Sequence, residues 1–398
     1  MLFLNVHTFF WTTIVQTMAM NAKAPRLNIL IIYEGMREHG GVQVHVYTLE
    51  SELRKLGHNV LMFPVPPLHL ETINACVLFY FSEQFVFLLF GIVRIFRLIR
   101  RQPVHIVHVH GARLPLVLTF FVSKIMKIPF VVTVHEAWTR ANKLNRQYRS
   151  ADKIIAVSQE SEAVLKSYGV DPLRLTVIPN MVTLPPSAIK FSEEGNLNIV
   201  FVGRLDPSKT GILKILMDAA PKIMSEFANV RIWIVGSRGQ EYASVSLKAD
   251  QVNALIGKKT VFLLGHVRNP SLILDKAHIV IGVGRVALEA MSHSKPVIVG
   301  SSADGVFFRG GLVTRENANF LERSNFTGRN YSDMVNSAQL AELIVGLLRD
   351  RSFRSELGRF GREFVAANFA SDVIVARTVS VYYDCIRQRR KGSINQAE

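Results

Sequence analysis

Two cations flank an Asp-Pro-Ser turn in the stretch NIVFVGRLDPSKTG, residues 198–211. An apolar run stops at Gly203, and Arg204 and Lys209 follow within a few residues. A strand that ends in a sharp turn, with a helix starting at once, gathers both charges and the free helix amides around one point. Such a point stabilises a departing diphosphate without a metal. The competing reading of the same pair is solvated surface.

Three further sets of residues suit the same kind of chemistry. In GVGRVALEAMSHSKPVIVG, residues 282–300, Gly282 and Gly284 open a helix whose first turns carry Glu289. A carboxylate there can take both hydroxyls of a ribose. In EGMREHGGVQ, Gly40 and Gly41 let a backbone come close to a ligand, and the helix that follows aims its N-terminal amides at phosphate. His110 in VHVHG and His135 in TVHEA each end a strand. Two histidines at the ligand edge of neighbouring strands suggest a site, because an imidazole accepts a proton near neutral pH or hydrogen-bonds a sugar hydroxyl. His105 and His108 receive no role.

Parallel sheets would position these residues, since open sheets bind ligands at the carboxyl ends of their strands. Strands are expected at residues 27–34, 58–65, 105–111, 129–136, 151–158 and 174–180, with a helix after the first whose face is Val42, Val46, Leu49, Leu53 and Leu56 and whose stop is Gly57. The proline-rich stretch VTLPPSAIKFSEEGN, residues 182–196, lacks periodicity and reads as a linker. Beyond it the alternation restarts in LNIVFVG, NVRIWIVGS, KTVFLLGHV, AHIVIGV and KPVIVGSS. The fold class is therefore α/β, with two Rossmann-like domains built on parallel sheets. Their expected limits are 25–182 and 197–365, joined by 183–196, with an N-terminal extension at 1–24 and a helix and basic tail at 366–398. The stretch 303–330, rich in glycine and polar residues, reads as an ordered loop system.

Composition narrows the partners. With 398 residues the chain has room for two cores, and a net charge of +16 favours anionic ligands or surfaces. Nucleic acid explains the charge but not the motifs, and basic and aromatic residues are not interleaved as single-strand binding requires. Cys76 and Cys385 stand far apart, which argues against a disulfide framework or structural zinc and fits a reducing cytoplasm. The segment ACVLFYFSEQFVFLLFGIVRIFRLIRRQ, residues 75–102, carries Arg94, Arg97, Arg100 and Arg101 after an apolar run broken by Ser82, Glu83 and Gln84. It reads either as a core helix or as an interfacial helix on an anionic bilayer, ahead of a membrane span.

Taken in order, GGVQVHV, HVHG, TVHE, ADKIIAVS, VIPNMV, FVGRLDPSK, IVGSRG, LGHV and ALEAMSHSKPVIVG make the chain resemble the retaining glycosyltransferases of the GT-B fold, in the large family four. The resemblance spans roughly residues 27–300. It implies two domains facing a cleft, a nucleotide-diphosphate sugar as co-substrate bound mainly by the second, and no other cofactor. It also implies diphosphate at Arg204 and Lys209, ribose at Glu289, donor phosphates near Gly40 and Gly41, and the sugar and acceptor near His110. His135, Gly282, Gly284 and Arg285 fall among the donor-binding positions, and no metal is expected. The final helix would cross back onto the first domain. One departure stands out: the family's usual Glu eight residues before the ribose-binding one is replaced by Ile281, and Arg285 enters that region, where it would meet phosphate or an anionic sugar. The expected activity is hexosyl transfer with retained configuration to a lipid-linked or cell-envelope glycan precursor, by a cytoplasmic enzyme at the inner membrane face. A nucleotide-sugar epimerase and a degenerate nucleotide-sugar-binding protein are the alternatives.

Overall fold

A computed structural model of the protein describes residues 25–35, 40–65, 77–111, 114–135, 148, 150–186, 195–236, 239–267, 269–302, 308–331 and 333–394. Side chains at 77–88, 114, 208, 301, 302, 308 and 390–394 fall outside that description, as do the expected N-terminal extension and most of the expected linker. The chain forms two compact units, one running as far as Met181 and resuming at Ser371, the other spanning Val182–Ala370.

In the first unit, β1 (Asn28–Glu34), β2 (Asn59–Val65), β3 (Ile106–His110), β4 (Phe130–Val134), β5 (Lys153–Ala156) and β6 (Leu175–Val177) make one sheet in the order β2-β1-β3-β4-β5-β6. Every pairing in it is parallel. These strands read as unbroken apolar runs because both faces are covered. Alternate residues of β1 serve opposite cores: Leu30 and Ile32 pack with Ile95, Ile99, Leu116 and Val122, whereas Ile29 and Ile31 pack with Val46, Leu49 and Leu53. The first set comes from α2 (Val77–Arg101) and α3 (Leu114–Met126), the second from α1 (Gly41–Lys55). A short α4 (Gln159–Ser167) links β5 and β6.

One residue of the expected α1 stripe lies elsewhere. Leu56 is 57% exposed, because the helix ends at Lys55 and Gly57 turns the chain with φ +83. Among the described residues no helix is long and apolar enough to cross a membrane.

The second unit contains β7 (Leu197–Val202), α5 (Pro207–Glu226), β8 (Val230–Val235), α6 (Tyr242–Ile256), β9 (Val261–Gly265) and the short α7 (Ser271–Leu274). It continues through β10 (Ile279–Ile281), α8 (Arg285–Ser292), β11 (Val297–Ser302), β12 (Phe308–Leu312), α9 (Ala318–Glu322), β13 (Met334–Val335), α10 (Ser337–Arg349) and α11 (Arg351–Asn368). The strand order is β13-β12-β11-β10-β7-β8-β9. This sheet is mixed rather than wholly parallel, since β12 and β13 run antiparallel to their neighbours. They arise in and just after the stretch expected to be loops. Gly310 makes the pairing feasible, because a Cβ there would stand 2.0 Å from the Val299 carbonyl oxygen.

The chain enters and leaves this unit at neighbouring points. The Val182 amide donates to the Phe369 carbonyl at 2.9 Å, and Val182 and Leu184 pack into the unit's core, so structure persists into the start of the proline-rich stretch. The final helix, α12 (Ser371–Ile394), then returns to the first unit. Its Ile374, Val375, Val379, Tyr382 and Cys385 complete the core beneath α1. Burial pushes the Cys385 thiol up to about 12, which leaves it unreactive. Because Ile374 is fully enclosed, Ile374→Ala should cost about 2–5 kcal/mol. Urea denaturation followed by hydrogen exchange at β1 and β3 amides would measure it, and an unchanged midpoint would remove α12 from that core.

Candidate functional site

Strand order creates a point in each unit where the chain turns to opposite sides of the sheet, and ligands collect at such switch points. In the second unit the point lies between β7 and β10, which are paired in parallel. The two motifs expected to bind the donor leave those two strands. They are far apart in sequence and adjacent in the fold.

At the end of β7 the turn is shaped by bare backbone. The Gly203 amide donates to the Val235 carbonyl at 2.9 Å. A Cβ on Gly236 would stand 1.8 Å from the Gly203 carbonyl oxygen, and one on Gly239 would stand 2.2 Å from that of Leu205. Glycines after β8 thus let the loop after β7 press against its neighbour. Helix α5 then starts at Pro207, whose missing N–H costs nothing in the first turn. The N-cap residue Asp206 makes no side-chain cap bond. Its carboxylate instead lies 3.3 Å from Arg204 Nε. Lys209 sits in the first turn of α5 and is half-buried, with its stem passing 3.8 Å from where a Gly203 Cβ would be. Both expected cations therefore belong to one turn. Lys209 folds over it, whereas Arg204 is 57% exposed and turned toward Asp206.

The exit from β10 is also close-packed. A Cβ on Gly282 would meet Val286 Cγ1 at 2.4 Å and the Val202 carbonyl oxygen at 3.4 Å, so the ends of β10 and β7 touch through bare backbone. Gly284 adopts φ +61, which favours glycine, and α8 begins at the next residue. Ile281 is fully buried at the end of β10, and only residues 282–284 separate the strand from the helix. Arg285 Nε donates to Glu289 Oε1 at 2.8 Å. The expected ribose carboxylate is thus held on one oxygen by the arginine one turn before it. Behind α8, His293 Nδ1 lies 2.6 Å from Asp275 Oδ1 and Lys295 Nζ donates to the Asp275 carbonyl at 2.9 Å. Burial lowers Lys295 to about 8.

In the first unit the switch point lies between β1 and β3. Gly40 caps α1, and its amide donates to Gln43 Oε1 at 2.6 Å. Neither Gly40 nor Gly41 has a positive φ, and a Cβ on Gly41 would meet nothing within 4 Å. Contacts inside the unit do not require glycine at position 41, which leaves that side of the turn open to close approach.

Beside them stands a group of histidines. His110 Nδ1 lies 3.2 Å from His135 Nε2, and the His45 ring is 4.9 Å from that of His135 and 5.4 Å from that of His110. His108 lies ring to ring with His110 at 4.1 Å. It hydrogen-bonds the Tyr382 hydroxyl through Nδ1 at 2.6 Å and Thr133 Oγ1 through Nε2 at 2.8 Å. Burial and then the neighbouring imidazoles push His110 well below the usual histidine range, and burial lowers His108 to about 3. Of the two roles expected of His110, burial therefore favours hydrogen bonding over taking up a proton. A neutral, enclosed imidazole can orient a hydroxyl but resists charging. His45 was missed in the sequence. The signal was present, since position 45 falls on the same helical stripe as 42, 46, 49 and 53. His105 is structural, with Nδ1 accepting from the Asn28 amide at 2.9 Å.

The histidines set the direction of pH dependence. His108 and His110 stay neutral when folded, whereas the unfolded chain binds protons near 6.5. Stability is therefore full above about pH 6.5 and falls as pH drops from there toward 3, by up to about 1.4 kcal/mol per pH unit for each histidine. Urea midpoints should hold from pH 7.5 to about 6.5 and fall from there to pH 4.5, and His108→Gln should flatten that slope.

Two family models match the chain in succession: Glycosyltransferase Family 4 over residues 39–184 and Glycosyl transferases group 1 over residues 196–350. The chain is 26% identical over 199 residues to the capsular polysaccharide biosynthesis glycosyltransferase CapM of Staphylococcus aureus, a match covering 48% of this chain and 47% of that one. It is 28% identical over 227 residues to the phosphatidyl-myo-inositol mannosyltransferase of Mycolicibacterium smegmatis, covering 51% and 56%. The chain thus spans about half the length of these curated relatives. Among solved structures, Anabaena HepE in complex with UDP superposes with a TM-score of 0.62 at 17% identity, over 90% of this chain and 100% of that one. With both units matched in order by the two models and by this fold, the chain belongs to the group 1 glycosyltransferases of the GT-B fold, of the family 4 type.

Proposed function

We propose that the protein transfers a hexosyl group from a nucleotide-diphosphate sugar to a lipid-linked or cell-envelope glycan precursor, with retention at the anomeric carbon and without a metal at the diphosphate. The observation that carries this reading is the meeting of the Arg204–Lys209 turn and the Gly282–Glu289 segment at one switch point of the second unit. The bond between the anomeric carbon and the diphosphate oxygen breaks, and its electron pair leaves with that oxygen. Lys209 and Arg204 stabilise the charge that develops, Arg204 by exchanging Asp206 for phosphate. The acceptor hydroxyl bonds the anomeric carbon from the same face, and its proton passes to the departing phosphate oxygen. Glu289 takes the ribose, with Arg285 fixing its carboxylate through Oε1. In the first unit, the glycine loop at Gly40 and Gly41 allows close approach of donor phosphate, while neutral His110, with His135, orients hydroxyls of the sugar and acceptor. The relatives' names, capsular polysaccharide glycosyltransferase and phosphatidyl-myo-inositol mannosyltransferase, support the acceptor class, and HepE with UDP supports the donor class.

A second reading, nucleotide-sugar binding without turnover, is favoured by the Ile281 replacement together with the engagement of Glu289 by Arg285. One experiment separates the two. Nucleotide sugars are screened for thermal stabilisation, and the stabilising donor is incubated with lipid-linked acceptors while nucleoside diphosphate release is followed. The proposal expects transfer with the donor's anomeric configuration kept, as read by NMR of the product. It expects kcat to fall by about 100-fold or more in Lys209→Ala and less in exposed Arg204→Ala. Donor binding without release would establish the second reading, and donor-only conversion would indicate an epimerase.

The acceptor class implies a membrane surface, and the first unit offers a face suited to one. On α2, Leu89, Phe90 and Val93 are exposed beside Arg94, Arg97, Arg100 and Arg101. On α3, Phe121 and Ile125 are exposed beside Lys124. The two helices pack together, since a Cβ on Gly91 would stand 2.9 Å from Leu118 Cδ2. Exposed apolar side chains among cations suit an anionic bilayer. Cosedimentation should show binding to phosphatidylglycerol vesicles that salt weakens, and the pair Phe90→Asp with Arg97→Glu should reduce it about 10-fold or more. Equal binding to neutral vesicles would argue against this role.

A further inference from the structure

We propose that His45, His110 and His135 ligate one divalent transition-metal ion of the zinc class, each through one ring nitrogen. The proposal does not depend on the transfer reaction. One nitrogen from each of the three rings lies within 4.8 Å of the other two. Tetrahedral zinc with nitrogen ligands at about 2.0–2.1 Å holds them about 3.4 Å apart, so the rings need to close by roughly 1 Å or a little more along the longest edge. His135 is the least enclosed of the three and can supply most of that movement.

A second, independent observation points to a ligand. His110 Nδ1 faces His135 Nε2, and among the described residues its other nitrogen, Nε2, has no hydrogen-bond partner, in a ring that is itself fully buried. An enclosed polar atom left in that state costs free energy, and a metal ion removes the cost. The ring cannot easily turn away, because His108 lies against it and is itself fixed by Tyr382 and Thr133. The supporting elements are rigid: His45 is on α1, His110 ends β3, and His135 follows β4. Burial also keeps His110 in the neutral form that binds metal.

The donor set selects the ion. Three imidazoles without a carboxylate favour zinc, cobalt, nickel or copper over magnesium or calcium. Three protein ligands leave a fourth position open to water or to a hydroxyl of a bound molecule. Bound metal would occupy the nitrogens otherwise assigned to sugar and acceptor hydroxyls, so the same ion is expected to inhibit a transferase.

The test is a Co(II) titration of the full chain, followed by visible absorption, with no sugar substrate present. The proposal expects one equivalent bound with the intense bands of a four- or five-coordinate site, displaced by Zn(II). His45→Asn and His135→Asn should each weaken binding at least about 10-fold, while exposed His266→Asn should leave it unchanged. Half-buried His135→Asn keeps the test decisive should His45→Asn fail to fold. Only weak six-coordinate bands, or equal affinity in His135→Asn and the parent chain, would overturn the proposal.

Discussion

The contact on which the second unit depends is backbone against backbone at the carboxyl ends of β7, β8 and β10. The Gly203 carbonyl lies where a side chain on Gly236 would have to stand, and Gly282 rests against the Val202 carbonyl. No layer of side chains separates these strand exits. Glycine at these positions is therefore a steric requirement of the packing and not only a source of flexibility. The requirement brings one strand's cations and another strand's carboxylate helix to a common edge. It also explains why the charged side chains need little support of their own. Lys209 is anchored by its place in the first turn of α5, and Arg204 by its ion pair with Asp206. The scaffold holds the turn, and the turn holds the charges.

Much of this was legible in the sequence because the relevant signals are local. Strand cores such as IVHVH and FVVTV are continuous apolar runs, and the structure buries every residue in them. The turn at Arg204 and the glycines before α8 could also be read locally, because strand, turn and helix follow one another without a break. Three features could not. The antiparallel pair β12 and β13 depends on close approach at Gly310 to a strand earlier in the chain, which no local pattern records. Arg285 and Glu289 stand one helical turn apart, but that spacing does not tell whether the two side chains engage each other or separate ligands. His45 hid among apolar stripe positions, and only the arrival of β3 and β4 shows that it faces two more imidazoles.

The Arg285–Glu289 pair bears on how the site departs from its family's pattern. Where the resemblance leads one to expect a carboxylate eight residues before Glu289, this chain has a buried isoleucine, with only three residues between β10 and α8. A cation enters instead and is directed at the remaining carboxylate. The local charge balance therefore differs from that of a two-carboxylate site, being close to neutral rather than negative. On the proposed function, a donor at this edge would meet less repulsion of its phosphates, and a sugar that carries negative charge would not be penalised there.

The first unit is interrupted in sequence by the second, and its last core helix is the last described element of the chain. During synthesis the six-stranded sheet emerges early, but the core that α1 shares with Ile374, Val375 and Tyr382 stays incomplete until residues beyond 370 leave the ribosome. The inserted unit has both its ends at adjacent points, Val182 and Ala370, and can close on its own meanwhile. Folding order is thereby inverted relative to gene order: the segment made second matures first. Nascent chains would thus leave the surfaces of α1 and β4 that α12 covers exposed while the insertion is being made, the interval in which a holdase chaperone has most to protect.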